Sequence, residues 1–158
     1  MIKVGSARSS SLPDEAEVSE QDFYIHKKGW LVINCKQAEG RHLLALAMRK
    51  ACANNNLTYS QPQREQIYKQ GINTDKPCKC DCSSLVTDII RESLYHDFPN
   101  STTATLPLNC MLSGLFTVED YKNESQLYNG SILCTKVKGH VVIVTRGARK
   151  NKLTKTSK

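Results

Sequence analysis

No run of 18 apolar residues occurs anywhere in this 158-residue chain, so a membrane-spanning helix is excluded. The opening stretch, residues 1–11, is polar and lacks the apolar core of a secretory signal. Synthesis in the cytoplasm is therefore expected, with delivery by some other route if the protein acts outside it. Internal repeats are absent, and the length suits a single domain with a modest core. Acidic residues are missing from position 146 onward, where Arg146, Arg149, Lys150, Lys152, Lys155 and Lys158 supply six of the seven net positive charges. The rest of the chain is left at +1. The basicity thus belongs to a tail, and no nucleic-acid partner is expected from it. An anionic polymer or membrane surface would suit such a tail, and so would a solvated end with no partner.

Paired Cys-x-x-Cys knuckles are also lacking. Seven cysteines are many for this length, but an odd number cannot all pair within the chain. Mainly reduced thiols are expected, with a disulfide from Cys78 or Cys80 as the alternative. Cys78, Cys80 and Cys82 form a Cys-x-Cys-x-Cys run that could hold zinc, which keeps open a zinc-stabilised, Cys-rich binding module with a basic tail. The main expectation needs no metal and no other cofactor.

What is present divides the chain into a flexible N-terminal arm (1–20), one catalytic-type domain (21–147) and a basic tail (148–158). The arm is Ser-rich and acidic in residues 5–20. Alternation within residues 22–34, ending in Trp30-Leu31-Val32-Ile33, predicts a strand. Leu43, Leu44, Ala47, Met48, Ala51 and Cys52 recur at helical spacing, so a helix is expected over residues 39–53 and should stop at Asn54-Asn55-Asn56. Ser60, Pro62 and Gln63 read as a capping-box start for a short helix through Tyr68. Leu85, Val86, Ile89, Ile90 and Leu94 mark the buried face of a helix that starts at Cys82. A weaker helix is expected over residues 103–113. Strands over 132–137 and 140–145 should form a hairpin turned at Lys138-Gly139. The fold class is α+β, with the Cys82 helix packed on an antiparallel sheet that carries His140.

Cys82 stands where a polar loop becomes an apolar-faced helix, with Asp81 in capping position. A thiol there meets the positive end of the helix dipole and unpaired amides, which favour a thiolate and can hold an oxyanion. On position alone, Cys82 could equally be a buried thiol. A nucleophilic cysteine needs a base distant in sequence. His26 lies before two lysines, His42 on the polar side of a helix, and His96 about 20 Å along the Cys82 helix if it runs straight. His140 opens an apolar strand directly after Gly139, where a sheet can fix its ring.

Asp81-Cys82-Ser83, followed 58 residues after the cysteine by Gly139-His140-Val141, resembles the nucleophile and histidine motifs of NlpC-type cell-wall peptidases. These are papain-like cysteine enzymes. Ala51-Cys52-Ala53-Asn54, Tyr59-Ser60-Gln61 with Arg64, and His26-Lys27-Lys28-Gly29-Trp30 make the chain more similar to phage endolysins of Gram-positive hosts. The likeness covers roughly residues 20–147. It implies a bacteriolytic peptidoglycan hydrolase that acts at the cell wall after release. Cys82 would attack the scissile amide and His140 would carry the proton, through a thioester acyl-enzyme. Tyr59, Asp81 and Ser83 would shape the substrate pocket. The implied bond lies in the stem peptide after a γ-linked D-glutamate, with N-acetylmuramoyl-L-alanine amidase activity as the alternative. The basic tail would meet anionic wall polymers. The chain has Gly130-Ser131 where the family has Gly-Asp. The family's third polar residue, which orients the histidine, should follow the histidine strand, and Asn151 is the one amide after Gly147.

Overall fold

In the computed structural model, which describes residues 1–10 and 16–153, the frame is a six-stranded sheet. Its strands are β1 (Lys3–Ala7), β2 (Val18–Asp22), β3 (Trp30–Cys35), β6 (Phe116–Asp120), β7 (Ile132–Thr135) and β8 (Val141–Arg146). They lie in the order β2-β1-β8-β7-β3-β6, and neighbours run antiparallel. A second, parallel pair joins β4 (Leu57–Tyr59) to β5 (Cys78–Cys80). The helices are α1 (Ala38–Cys52), α2 (Gln66–Gln70), α3 (Cys82–Ser93) and α4 (Leu106–Leu112). This is the α+β class expected from the sequence.

The near-continuous apolar run of β8 has a direct cause: both of its faces are covered. Val141 and Ile143 face the main core, which α1 and α3 close with Leu44, Met48, Leu85, Val86 and Ile89. Val142 and Val144 face a smaller cluster with Val4, Trp30, Val32, Leu127 and Leu133. A strand buried on both sides loses the usual alternation and keeps only the β-branched signal. The hairpin of β7 and β8 forms, but its turn is wider than Lys138-Gly139: β7 ends at Thr135, and Cys134 lies opposite Val141 and Ile132 opposite Ile143.

The N-terminus departs from expectation. The segment read as a loose arm supplies β1 and β2, and β1 pairs with both β2 and β8. Its small residues are a packing requirement rather than a mark of looseness. A Cβ on Gly5 would lie 2.6 Å from Met48 Cγ, so α1 crosses β1 at close range. Ser6 is fully buried, and its hydroxyl donates to the Val141 carbonyl at 2.7 Å. Residues 11–15 of the expected arm lie outside the described residues.

Other boundaries shift for local reasons. Ser60 Oγ does accept from the Gln63 amide at 3.2 Å, but that bond closes a turn, and α2 begins only at Gln66. On α1, Leu43 is exposed while Ala45 is buried, so the stripe is rotated by part of a turn. The α3 helix ends at Ser93, before His96. The basic tail is packed at its start: the Arg149 amide donates to Leu127 O and the Asn129 amide donates to Arg149 O. Lys155 and Lys158, also assigned to that tail, lie outside the described residues.

Candidate active site

The site is built where α3 begins. Asp81 is extended (φ −112°, ψ −176°) and caps the helix: its Oδ1 accepts from the Ser84 amide at 2.7 Å. In return Ser84 Oγ accepts from the Asp81 amide at 2.9 Å. This reciprocal box leaves Cys82 as the first helical residue, half-buried, beside amides that have no partner within the helix. The amides of Val141, Ser83 and Cys82 itself draw the thiol pKa down. Burial first, and the Asp81 charge second, outweigh them and push it up to about 11.

Val141 follows His140 in the chain, so the start of β8 is the part of the sheet that meets the Cys82 sulfur. The His140 backbone is pinned on both sides by Thr135. Its amide donates to Thr135 Oγ1 at 3.0 Å, and its carbonyl accepts from the Thr135 amide at 3.0 Å. The preceding turn is tied down as well. The Gly139 amide donates to Thr103 Oγ1 at 3.0 Å, and Lys28 Nζ donates to the Lys138 carbonyl at 2.7 Å. Burial drives the His140 pKa down to about 4, and the positive charges of His26 and Arg8 push the same way. Between about pH 4 and pH 11, thiol and imidazole are therefore both uncharged. Neither group then carries a standing charge, so attack by such a thiol would need its proton to leave as the sulfur attacks.

Tyr59 comes to the same place by strand pairing. It lies opposite Cys80 in the parallel ladder, and the Ser60 amide donates to the Cys80 carbonyl at 2.9 Å. Burial raises its phenol pKa, and the charges of Cys82 and Asp81 add to that rise. Asp81 and Ser83 are turned into the protein. Asp81 Oδ2 meets Arg64 Nε at 2.9 Å, while Ser83 Oγ donates to Asp81 Oδ1 at 3.2 Å and accepts from Arg64 at 3.1 Å. Arg64 also donates to Asn100 Oδ1 and to the Ser101 carbonyl. The structure thus gives these two residues a bracing role around the helix start.

Asn151 is held elsewhere. Its Oδ1 accepts from Arg41 Nε at 2.8 Å and its Nδ2 donates to the Asn129 carbonyl at 2.8 Å. It follows the far end of β8 from His140, and six residues of strand span about 20 Å. The two are not brought together. Three residues that motif reading passed over do stand near the site. Tyr24 feels the Cys82 charge and packs its ring 5.6 Å from that of Trp30. Arg8 acts on both Tyr24 and His140. Thr103 holds Gly139. None of the three lies within a recognisable pattern; Tyr24 had only its place two residues before His26 as a signal.

Among the described residues, no group of three His, Cys, Asp or Glu side chains is placed to hold a metal ion. Cys78 and Cys80 are buried core residues of β5, and burial is the main cause of the rise in both thiol pKa values. The described cysteines are all unpaired. His42 and His96 are exposed, and no candidate site residue bonds to either.

Comparison with known families gives one assignment. A family model described as an endolysin-like domain matches residues 13–151. No curated protein and no solved structure matches the chain.

Proposed function

The chain belongs to the endolysin-like domain family, and from that premise we propose that it is a papain-like cysteine endopeptidase of bacterial peptidoglycan. The family itself points to phage cell-wall lysis with peptidoglycan as substrate. The cysteine mechanism rests on one observation above the others: the Cys82 sulfur at the start of α3 feels the Val141 amide, next in the chain to His140.

In the proposed cycle, Cys82 Sγ attacks the scissile carbonyl while the neutral His140 imidazole takes the thiol proton. Unpaired amides in the first turn of α3 receive the developing oxyanion. The tetrahedral intermediate collapses, the C–N bond breaks, and the imidazolium returns its proton to the leaving amine. Water, deprotonated by His140, then splits the thioester and restores the thiol. The backbone of His140 is fixed by its two Thr135 bonds, with Thr103 and Lys28 fixing the turn before it. Asp81, Ser83 and Arg64 hold the helix start, and Tyr59 flanks the sulfur.

The bond proposed is the one after γ-linked D-glutamate in the stem peptide. Digestion of purified peptidoglycan, followed by mass analysis of the released fragments, tests this. New amino termini within the stem support the endopeptidase. Release of whole stems from muramic acid would make the protein an amidase with the same thiol. Absence of any fragment from the wild-type protein would overturn the hydrolase reading.

A further inference from the structure

The end of β8 remote from Cys82 and His140 carries another chemistry. Two open clefts meet there and share Arg146, Gly147 and Lys150. The smaller, of about 410 Å³, is lined by Lys3, Arg49, Arg146 and Lys150, with Glu20 as the one acid in its wall. The larger, of about 700 Å³, continues past Arg146 and Lys150 towards Asp22 and Glu124. Two of these acids are already engaged. Glu20 accepts from the Thr145 hydroxyl, and Asp22 is paired with Lys3. Arg146 and Lys150 are exposed and form no ion pair among the described residues.

These two cations stand on a fixed rim. The Gly147 amide donates to Asn129 Oδ1 at 2.7 Å, and a Cβ at Gly147 would lie 2.5 Å from the Leu127 carbonyl oxygen. The chain can therefore turn tightly against residues 127–129. The Arg149 guanidinium then lies over the Tyr128 ring, 4.8 Å from its centroid, as that of Arg41 does at 4.3 Å. Arg41 in turn holds Asn151. The segment that carries Arg146 and Lys150 is braced from both ends.

We propose that this paired cleft binds the phosphodiester-linked polyanion of the bacterial wall and holds the catalytic end near its substrate. A single small anion would need only one of the clefts; two that share a cationic ridge suit a chain of regularly spaced charges. The occupant lies about 20 Å along β8 from the thiol and leaves the reacting end open. The choice of a wall polymer over other polyanions rests on the peptidoglycan reading above, while the cleft itself does not.

The test measures binding of the full-length protein to purified poly(glycerol phosphate) and to oligothymidylate of equal phosphate number. Both are titrated at low salt and at about 0.15 M ionic strength. The R146Q/K150Q double variant should weaken polymer binding by about tenfold at low salt and flatten its salt dependence. The K155Q/K158Q variant should bind like wild type, and both should cleave a soluble stem peptide at the wild-type rate. Thermal melts of each variant check that it is folded, and K150Q alone gives a milder version. Undiminished polymer binding by R146Q/K150Q overturns the proposal, as does a loss confined to K155Q/K158Q. Tighter binding of oligothymidylate with the same dependence on Arg146 and Lys150 overturns it in favour of nucleic acid. Polymer binding without any peptidoglycan cleavage would sink the hydrolase and leave the cleft standing; cleavage without polymer binding would do the reverse.

Discussion

Arg64 Nε lies 2.9 Å from Asp81 Oδ2, and this ion pair holds in place the carboxylate that caps α3. Both side chains are largely buried, at 16% and 11% exposure. Removing the guanidinium would leave Asp81 charged, desolvated and short of a partner. R64M should therefore destabilise the protein by about 3–5 kcal/mol, the range seen when one member of a buried pair is removed. Urea unfolding of R64M against wild type measures it. A loss below about 0.5 kcal/mol, the usual range for surface changes, would show that the pair is solvent-screened and the helix start is braced by other contacts.

Cys82→Ala should abolish wall lysis with the fold intact, at a cost of order 10⁴ or more in rate. Its thiol is half-buried at the first helical position, so truncation leaves little void. Cys80→Ala changes a fully buried residue on β5 and should lower stability while the chemistry survives. Turbidity clearing of wall suspensions, read beside circular dichroism, separates the two. Lysis retained by folded C82A and lost by folded C80A would mean that the nucleophile is the other thiol.

The parts of this arrangement that the sequence revealed share a physical cause. Leu85, Val86, Ile89 and Ile90 stand out as one stripe because the residues buried with them on α3, Ser83, Ser84, Thr87 and Asp88, are polar; all four apolar side chains are fully buried. The HVVIVT run stands out because β8 is covered on both sides. Cys82 and His140 stand out as candidates because each sits at an element boundary with a local signature. The first strand does not, since its Gly5-Ser6-Ala7 run is small to admit α1 and so looks like a loop. Long-range partners were hidden for a different reason. The bonds from Arg64 to Asp81 and from Thr103 to Gly139 join distant segments, and no local spacing records them. Asn151 illustrates the converse: an amide in the expected order along the chain, folded to the opposite end of the strand.

His140→Ala should be about as damaging as C82A, and the double variant little worse, because the two act as one unit. Alanine at His42 or His96 should leave activity near wild type. His26 is the intermediate case. Its ring packs against Trp30 at 5.3 Å and its charge acts on His140, so H26A should move the acid limb of the pH profile more than the plateau rate. Rates of soluble stem-peptide cleavage by the four folded alanine variants decide this. Wild-type turnover by H140A would end the assignment of His140 as base.

The buried imidazole also sets a pH dependence whose sign can be worked out. His140 is held neutral in the folded protein down to about pH 4, whereas in the unfolded chain it takes a proton below about 6.5. Its contribution to stability is therefore complete above 6.5 and is lost as pH falls through that window, by up to about 3 kcal/mol. Asp88 works in the opposite direction. Burial and its contact with Glu92 raise its pKa to about 9, so its contribution is largest at low pH and declines as pH rises. The wild-type profile mixes the two, and comparison with H140Q isolates the first. Urea midpoints between pH 4 and 7 should fall more steeply with acid for wild type than for H140Q, with the two curves parallel above 7. Catalysis should follow the same groups: kcat/KM should hold a broad plateau bounded by His140 near pH 4 and Cys82 near pH 11. Parallel stability curves throughout, together with an acid limb near 6.5, would mean that the imidazole titrates as an exposed group and is not the buried base described here.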